Sequence, residues 1–150
     1  MDRSGFTRIA TRKNAVYFDT TFKIRAACFK VWKEFGGAFK EGIVDRALTE
    51  ALAYEGLHVE NQKRIDVFFG EKKVGTYVPD KIVNACVLLE LKAKPYLTQE
   101  DERQFWLYLK AANYKVGMLI NFGSQKLEIK RRVYDKARQN TPRPSASLSA

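Results

Sequence analysis

An α/β domain, with a central mixed β-sheet flanked by helices, is the fold class this sequence predicts, and three observations carry that reading. Apolar residues recur at three- and four-residue steps in two successive segments before residue 56. Short apolar or alternating runs bounded by turn residues follow, as strands do. A further helical segment with its own start signal then sits among the strand-like runs. The resulting order is α, α, β, β, β, α, β, β. At 150 residues the chain suits one domain with a real core and is short for two.

Residues 1–19 show no periodicity and are expected to be flexible or a short flanking segment. From Thr20 to Phe35 the residues Ile24, Ala27, Cys28, Val31, Trp32 and Phe35 share a helical face, with Thr20 or Thr21 available as a cap and Gly36-Gly37 as the stop. A second helix is expected from about Phe39 to Glu55, its stripe formed by Ile43, Val44, Ala47, Leu48, Ala51 and Leu52, with Gly56 suited to its C-terminus. His58 to Phe69 closes in the alternating run Ile65, Val67, Phe69, and Gly70-Glu71-Lys72 turns the chain. Val74 to Asp80 and Asn84 to Lys92 supply two more strands, in a meander with the first. Thr98 then opens a helix as N-cap, with Glu100, Asp101 and Glu102 in the first turn, where the macrodipole favours acids. Lys115 to Asn121 reads as a buried strand, and Gln125 to Tyr134 as another with Leu127, Ile129 and Val133 alternating. The domain therefore runs over 20–135, and 136–150 reads as a disordered basic tail rich in Pro, Ser and Ala.

Composition narrows the function classes. A hydrophobic fraction of 45% with 29% charged residues is that of a globular chain. No run approaches the length of a membrane span, and the N-terminus lacks the apolar core of a signal peptide, so a cytoplasmic protein is expected. Cys28 and Cys86 form no CxxC pair, which leaves a disulfide framework or zinc site without support. The net charge of +10 is concentrated at the ends: residues 1–13 carry +3 and residues 136–150 another +3, leaving +4 for the middle. Basic ends add phosphate contacts without sequence information, although proteins that bind no nucleic acid carry them too.

The chemistry is concentrated in Tyr77–Lys94, YVPDKIVNACVLLELKAK, where Pro79-Asp80 precedes Glu90-Leu91-Lys92 by nine residues. In a strand, Glu90 and Lys92 emerge on one face while Leu91 points to the core. If Asp80 lies on the neighbouring strand or its entry turn, its carboxylate converges with that of Glu90 as a pair of hard oxygen ligands suited to Mg²⁺. Such a spacing also arises by chance, and Lys92 could instead pair with Glu90 as a surface charge. His58, the single histidine, follows a helix end and is expected to be exposed, which disfavours histidine-based acid–base chemistry. Trp32, Phe105 and Trp106 could stack bases, but aromatics at helical spacing ordinarily belong to a core.

Over roughly Thr20 to Asp135 the chain resembles the small GxxExxY proteins of the PD-(D/E)XK nuclease superfamily. The resemblance is carried by the helix end Glu34-Phe35-Gly36, the following AFKEGIVDRAL, the Asp80 to Lys92 core, Gln104 with Tyr108, and GMLINFGSQKLEIKR from Gly117 to Arg131. The positions that name the family fall on Ala38, Glu41 and Val44, so only the acid is kept. The resemblance implies a restriction-endonuclease-like core and a divalent-metal-dependent nuclease, acting on DNA or RNA with DNA favoured. It implies Mg²⁺ or Mn²⁺ held by Asp80, Glu90 and the Leu91 backbone carbonyl, with Glu41 a further ligand in some relatives. Lys92 would orient the attacking water or neutralise transition-state charge, with 5′-phosphate and 3′-hydroxyl products. Gln104 and Tyr108, four apart on one helix face, would lie beside the metal, Gln104 on a water or phosphate and Tyr108 on the backbone. Nucleic acid is the expected partner, with a homodimer allowed and no membrane. Other readings are a fold that binds nucleic acid without turnover, an accessory protein that binds a protein partner, and action on a different phosphodiester.

Overall fold

A computed structural model of the chain describes residues 15–37 and 39–137. Its elements are helix α1 (Ala15–Phe35), helix α2 (Glu41–Tyr54), strands β1 (Val59–Asn61), β2 (Ile65–Phe69), β3 (Lys72–Tyr77), β4 (Lys81–Val83) and β5 (Val87–Lys92), helix α3 (Gln99–Ala112), and strands β6 (Val116–Phe122) and β7 (Leu127–Val133). A five-stranded sheet has the order β1-β4-β5-β6-β7, while β2 and β3 form a separate two-stranded ribbon. Only the β5–β6 pair is parallel in the larger sheet. Parallel neighbours need a crossover, and α3 provides it.

Helices cover both sheet faces. On one, Ile24, Ala27, Cys28 and Val31 of α1 and Val44, Leu48, Ala51 and Leu52 of α2 pack against Val83, Val87, Leu89, Leu91, Met118 and Ile120. On the other, Phe105, Leu109 and Ala112 of α3 meet Ile82, Leu88 and Leu119, with Ile65 and Tyr77 of the ribbon joining them. This alternation follows from strand geometry, in which neighbouring side chains point to opposite faces. Strand β6 is buried along its whole length, as expected of a strand covered on both sides. Gly117 is where α3 comes closest to β6: a Cβ there would lie 2.8 Å from both Leu109 Cδ1 and Phe105 Cζ.

Several boundaries differ from the sequence expectation. Helix α1 starts at Ala15, so residues 15–19 are helical rather than flanking. Thr20 and Thr21 are buried inside it and do not cap it; the Thr21 hydroxyl donates to the Phe18 carbonyl at 3.0 Å. The helix begins earlier because Tyr17 still packs on the core. His58–Phe69 is not one strand. It divides at Gln62, whose φ of 56° breaks an extended path, and its halves join different sheets. The meander is likewise corrected, since the chain between Tyr77 and Lys81 leaves the ribbon and enters the main sheet. Asn84 and Ala85, at φ 51° and 56°, turn β4 into β5. Cys86 therefore stands in a turn and is half-buried, whereas Cys28 is fully buried. Thr98 caps α3 as expected, and the structure adds a reciprocal capping box in which Asp101 is the acid. At the other end Ala137 is 8% exposed and bonds Tyr134, so the ordered chain passes residue 135. Ala38, residues 1–14 and residues 138–150 of the expected tail lie outside the described residues.

Candidate active site

The start of β4 and the end of β5 form one corner of the sheet. Lys81 pairs with Leu89 in the last rung between these strands, which sets Asp80 opposite Glu90 just beyond it. There the Leu91 N–H donates to Asp80 Oδ2 at 2.7 Å. A residue's N–H and C=O leave the same edge of a strand. The Leu91 carbonyl is thus directed along the edge that carries the Asp80 carboxylate. Glu90 and Lys92 share the face of Leu88, towards α3, while Leu91 is buried on the other.

Tyr77 completes this corner. Its hydroxyl donates to Glu90 Oε1 at 2.8 Å, and its ring stacks on Tyr108 of α3 with centroids 4.6 Å apart. Tyr108 is thereby linked to the carboxylates through another ring. Gln104 stands one turn earlier on the same helix and is exposed. No described hydrogen bond joins it to Asp80, Glu90 or Lys92. Trp32, Phe105 and Trp106 contribute to packing instead: Phe105 is in the α3 core, Trp106 meets Tyr134 edge-on, and Trp32 Nε1 donates to the Gly123 carbonyl at 3.1 Å. His58 is exposed, as expected.

Burial raises the proton affinity of all three acids near the corner. It pushes Glu90 up to about 7, with the Asp80 charge adding to the rise, while the Tyr77 hydrogen bond and the Lys92 charge oppose it. Asp80 is also raised, by burial first and by Asp45 second, against the Leu91 hydrogen bond, Lys81 and Lys92. Glu41, the first residue of α2, is raised by burial and then by Asp80 and is lowered by Lys92, which brings it into the same electrostatic neighbourhood. Lys92 is half-buried and acts on all three, yet makes no direct ion pair among the described residues. Val44 is 2% exposed and packs in the core, so it does not line this corner.

Residues 18–132 match the family model of the PD-(D/E)XK nuclease superfamily. The chain belongs to that superfamily. No curated protein and no solved structure gave a match. The five-stranded mixed sheet with helices on both faces agrees with the restriction-endonuclease-like fold of PD-(D/E)XK proteins. No helix among the described residues is long and apolar enough to cross a membrane.

PD-(D/E)XK nucleases generally use divalent metals, and the donors at this corner fit such an ion. Asp80 and Glu90 are hard oxygen ligands whose negative charge is disfavoured by burial, so a cation would relieve it. Among the described residues no three His, Cys, Asp or Glu side chains gather closely enough to hold a metal alone. Two carboxylates and a carbonyl suit an ion that keeps several waters, as Mg²⁺ does.

Sequence reasoning missed Tyr77 and a group behind Asp80. Lys81 is wholly buried, with Nζ bonded to Asp45 Oδ1, to Thr49 Oγ1 at 2.8 Å and to Asn61 Oδ1 at 2.9 Å. The signals were present as a tyrosine three residues before Asp80 and as the i, i+4, i+8 series Glu41, Asp45, Thr49 on α2. Neither pattern distinguishes a site from an ordinary surface without the fold.

Proposed function

We propose that this protein is a divalent-metal-dependent nuclease that hydrolyses phosphodiester bonds of nucleic acid, DNA above all, in the cytoplasm. The observation that carries this reading is the Asp80–Glu90 pair across one corner of the sheet, with Lys92 on the face of Glu90 and in no direct ion pair among the described residues. Asp80, Glu90 and the Leu91 carbonyl would hold Mg²⁺ or Mn²⁺, with Glu41 approaching from α2. The chemistry such an ion would supply is polarisation of the scissile phosphate and a more acidic, more nucleophilic water.

The chain's own groups would do the rest. Lys92 Nζ orients the attacking water or offsets the charge that builds on the phosphate in the transition state. Tyr77, donating to one Glu90 oxygen, fixes that carboxylate so that its other oxygen can face the ion. Tyr108 supports the Tyr77 ring, and Gln104, exposed on the same helix face, is free to meet a phosphate or water. Glu41 at the head of α2 is the residue that favours placing the chain with the GxxExxY proteins. A homodimer is compatible with this reading.

The test incubates the purified chain with single-stranded, duplex and branched DNA and with RNA, in Mg²⁺ or Mn²⁺ and in chelator. Cleavage is expected only with metal. Calorimetric titration with Mn²⁺ should show binding that Asp80→Asn and Glu90→Gln each weaken sharply, because loss of one anionic ligand favours the hydrated ion. Metal binding unchanged in both variants would remove the site assignment. Nucleic-acid binding without any turnover would replace the nuclease by a binding protein of the same fold.

A further inference from the structure

The buried group behind Asp80 is the strongest unassigned feature of the molecule. Lys81 follows Asp80 directly, but its side chain points to the opposite sheet face, where α2 packs. It is a lysine with no solvent exposure, which is costly unless its charge is paired and its protons are bonded. Both conditions are met by Asp45, Thr49 and Asn61. Asn61 belongs to β1 and is the register partner of Lys81. The Thr49 hydroxyl also lies 3.3 Å from Asn61 Oδ1, and the Gln62 N–H donates to the Asp80 carbonyl at 3.3 Å. One ammonium therefore ties α2, β1 and β4 together immediately beneath the backbone of Asp80.

The same helix stripe continues towards the proposed metal site. Glu41, Asp45 and Thr49 are spaced four residues apart and share a face of α2. Lys81 grips Asp45 and Thr49, and Glu41 is one turn beyond, where it interacts electrostatically with Asp80 and Lys92. α2 makes no side-chain cap bond at Lys40, and beside its apolar stripe this grip ties the helix to β4 and β1. Resting on the nuclease reading, we propose that Lys81 is a positioning residue: by clamping Asp45 and Thr49 it holds Glu41 of α2 and the backbone of Asp80 in the arrangement that receives the divalent ion.

A positioning role and a simple charge effect predict opposite outcomes at Lys81. Removing a positive charge beside the site would by itself tighten cation binding. Loss of positioning weakens it, and partners that orient metal ligands typically contribute about 10-fold or more in affinity. The experiment titrates Mn²⁺ alone into wild type and Lys81→Met by calorimetry, with thermal melts in chelator to confirm that each is folded. The proposal expects Lys81→Met to bind Mn²⁺ about 10-fold more weakly. Unchanged or tighter binding overturns it and leaves Lys81 a purely structural group. If Lys81→Met does not fold, the decision passes to Asp45→Asn, Glu41→Gln and their double variant. Coupled losses of Mn²⁺ affinity, in which the double is scarcely worse than the worse single, support the clamp. Additive losses, or none, overturn it. A wild type that binds no Mn²⁺ overturns the nuclease reading itself and this inference with it, whereas failure of the clamp alone leaves wild-type binding intact.

Discussion

Glu90, pushed up to about 7 chiefly by burial, couples folding to pH with a definite sign. An unfolded Glu titrates near about 4.3, so between there and 7 the unfolded chain has released a proton that the folded chain keeps. The metal-free protein should therefore lose stability as pH rises through this window, and Glu90→Gln should remove that part of the loss. Melts in chelator from pH 4 to 8 check it; a Glu90→Gln curve parallel to wild type would show that the carboxyl is ordinary. If Glu90 holds the ion as proposed, proton and metal compete for the same oxygens, which predicts that Mn²⁺ affinity climbs through about pH 7 and levels above it. At Lys92 the expectation concerns rate. Lys92→Ala should slow cleavage by about two orders of magnitude or more, because an electrostatic stabiliser acts most when charge builds in the transition state. DNA affinity measured in Ca²⁺ should change far less. Lys92→Arg should not rescue the rate, since a planar fork replaces a compact donor beside Glu90. Wild-type cleavage in both variants would make Lys92 a surface charge.

Elements bring these residues to one corner by packing that leaves little slack. Helix α3 carries Tyr108 to Tyr77, and its distance from the sheet is set where Phe105 and Leu109 meet Gly117. A Cβ at Gly117 would press on both side chains at 2.8 Å. Gly117→Ala should accordingly destabilise the fold by about 1–3 kcal/mol, the usual range for overpacking, measured by denaturant unfolding. It should also disturb the Tyr77–Tyr108 stack, seen as a lower cleavage rate in protein that is still folded. No loss of stability would mean that α3 can shift outward freely. The other face is anchored differently: α1 and α2 present wide apolar stripes to Val83, Leu89, Met118 and Ile120, and the polar clamp at Lys81 is set among them.

For the whole molecule, the net charge of +10 matters through its distribution. Cutting after Ala137 removes Arg138 and Arg143 and no acid, while keeping the buried Ala137. The melting temperature should hardly move. The dependence of DNA affinity on salt should become shallower by up to about two units if both arginines contact phosphates, since each neutralised phosphate contributes roughly 0.9. An unchanged slope would show that the C-terminal charges stay off the nucleic acid. Cutting after residue 135 instead should cost stability, because it removes the contact that Ala137 makes.

What the sequence determined by itself was whatever depends on near neighbours in the chain. Both apolar helix stripes, the N-cap at Thr98, the burial of Val116–Phe122 and the shared face of Glu90 and Lys92 follow from local periods and local hydrogen bonds. The pairing of Asp80 with Glu90 was also within reach, because a tight turn at Asn84 and Ala85 joins their strands. The tertiary structure decided which strands meet, and with that the membership of the corner. Strand β1 pairs with β4 across the ribbon inserted between them, a choice that no period in His58–Phe69 encodes. Tyr77 reaches Glu90, and Lys81 reaches Asp45 across 36 residues, through contacts whose value exists only once water is excluded. A lysine after an aspartate reads as surface charge in any sequence; burial against α2 alone makes it a structural cation, since an ion removed from water must find its partners within the fold.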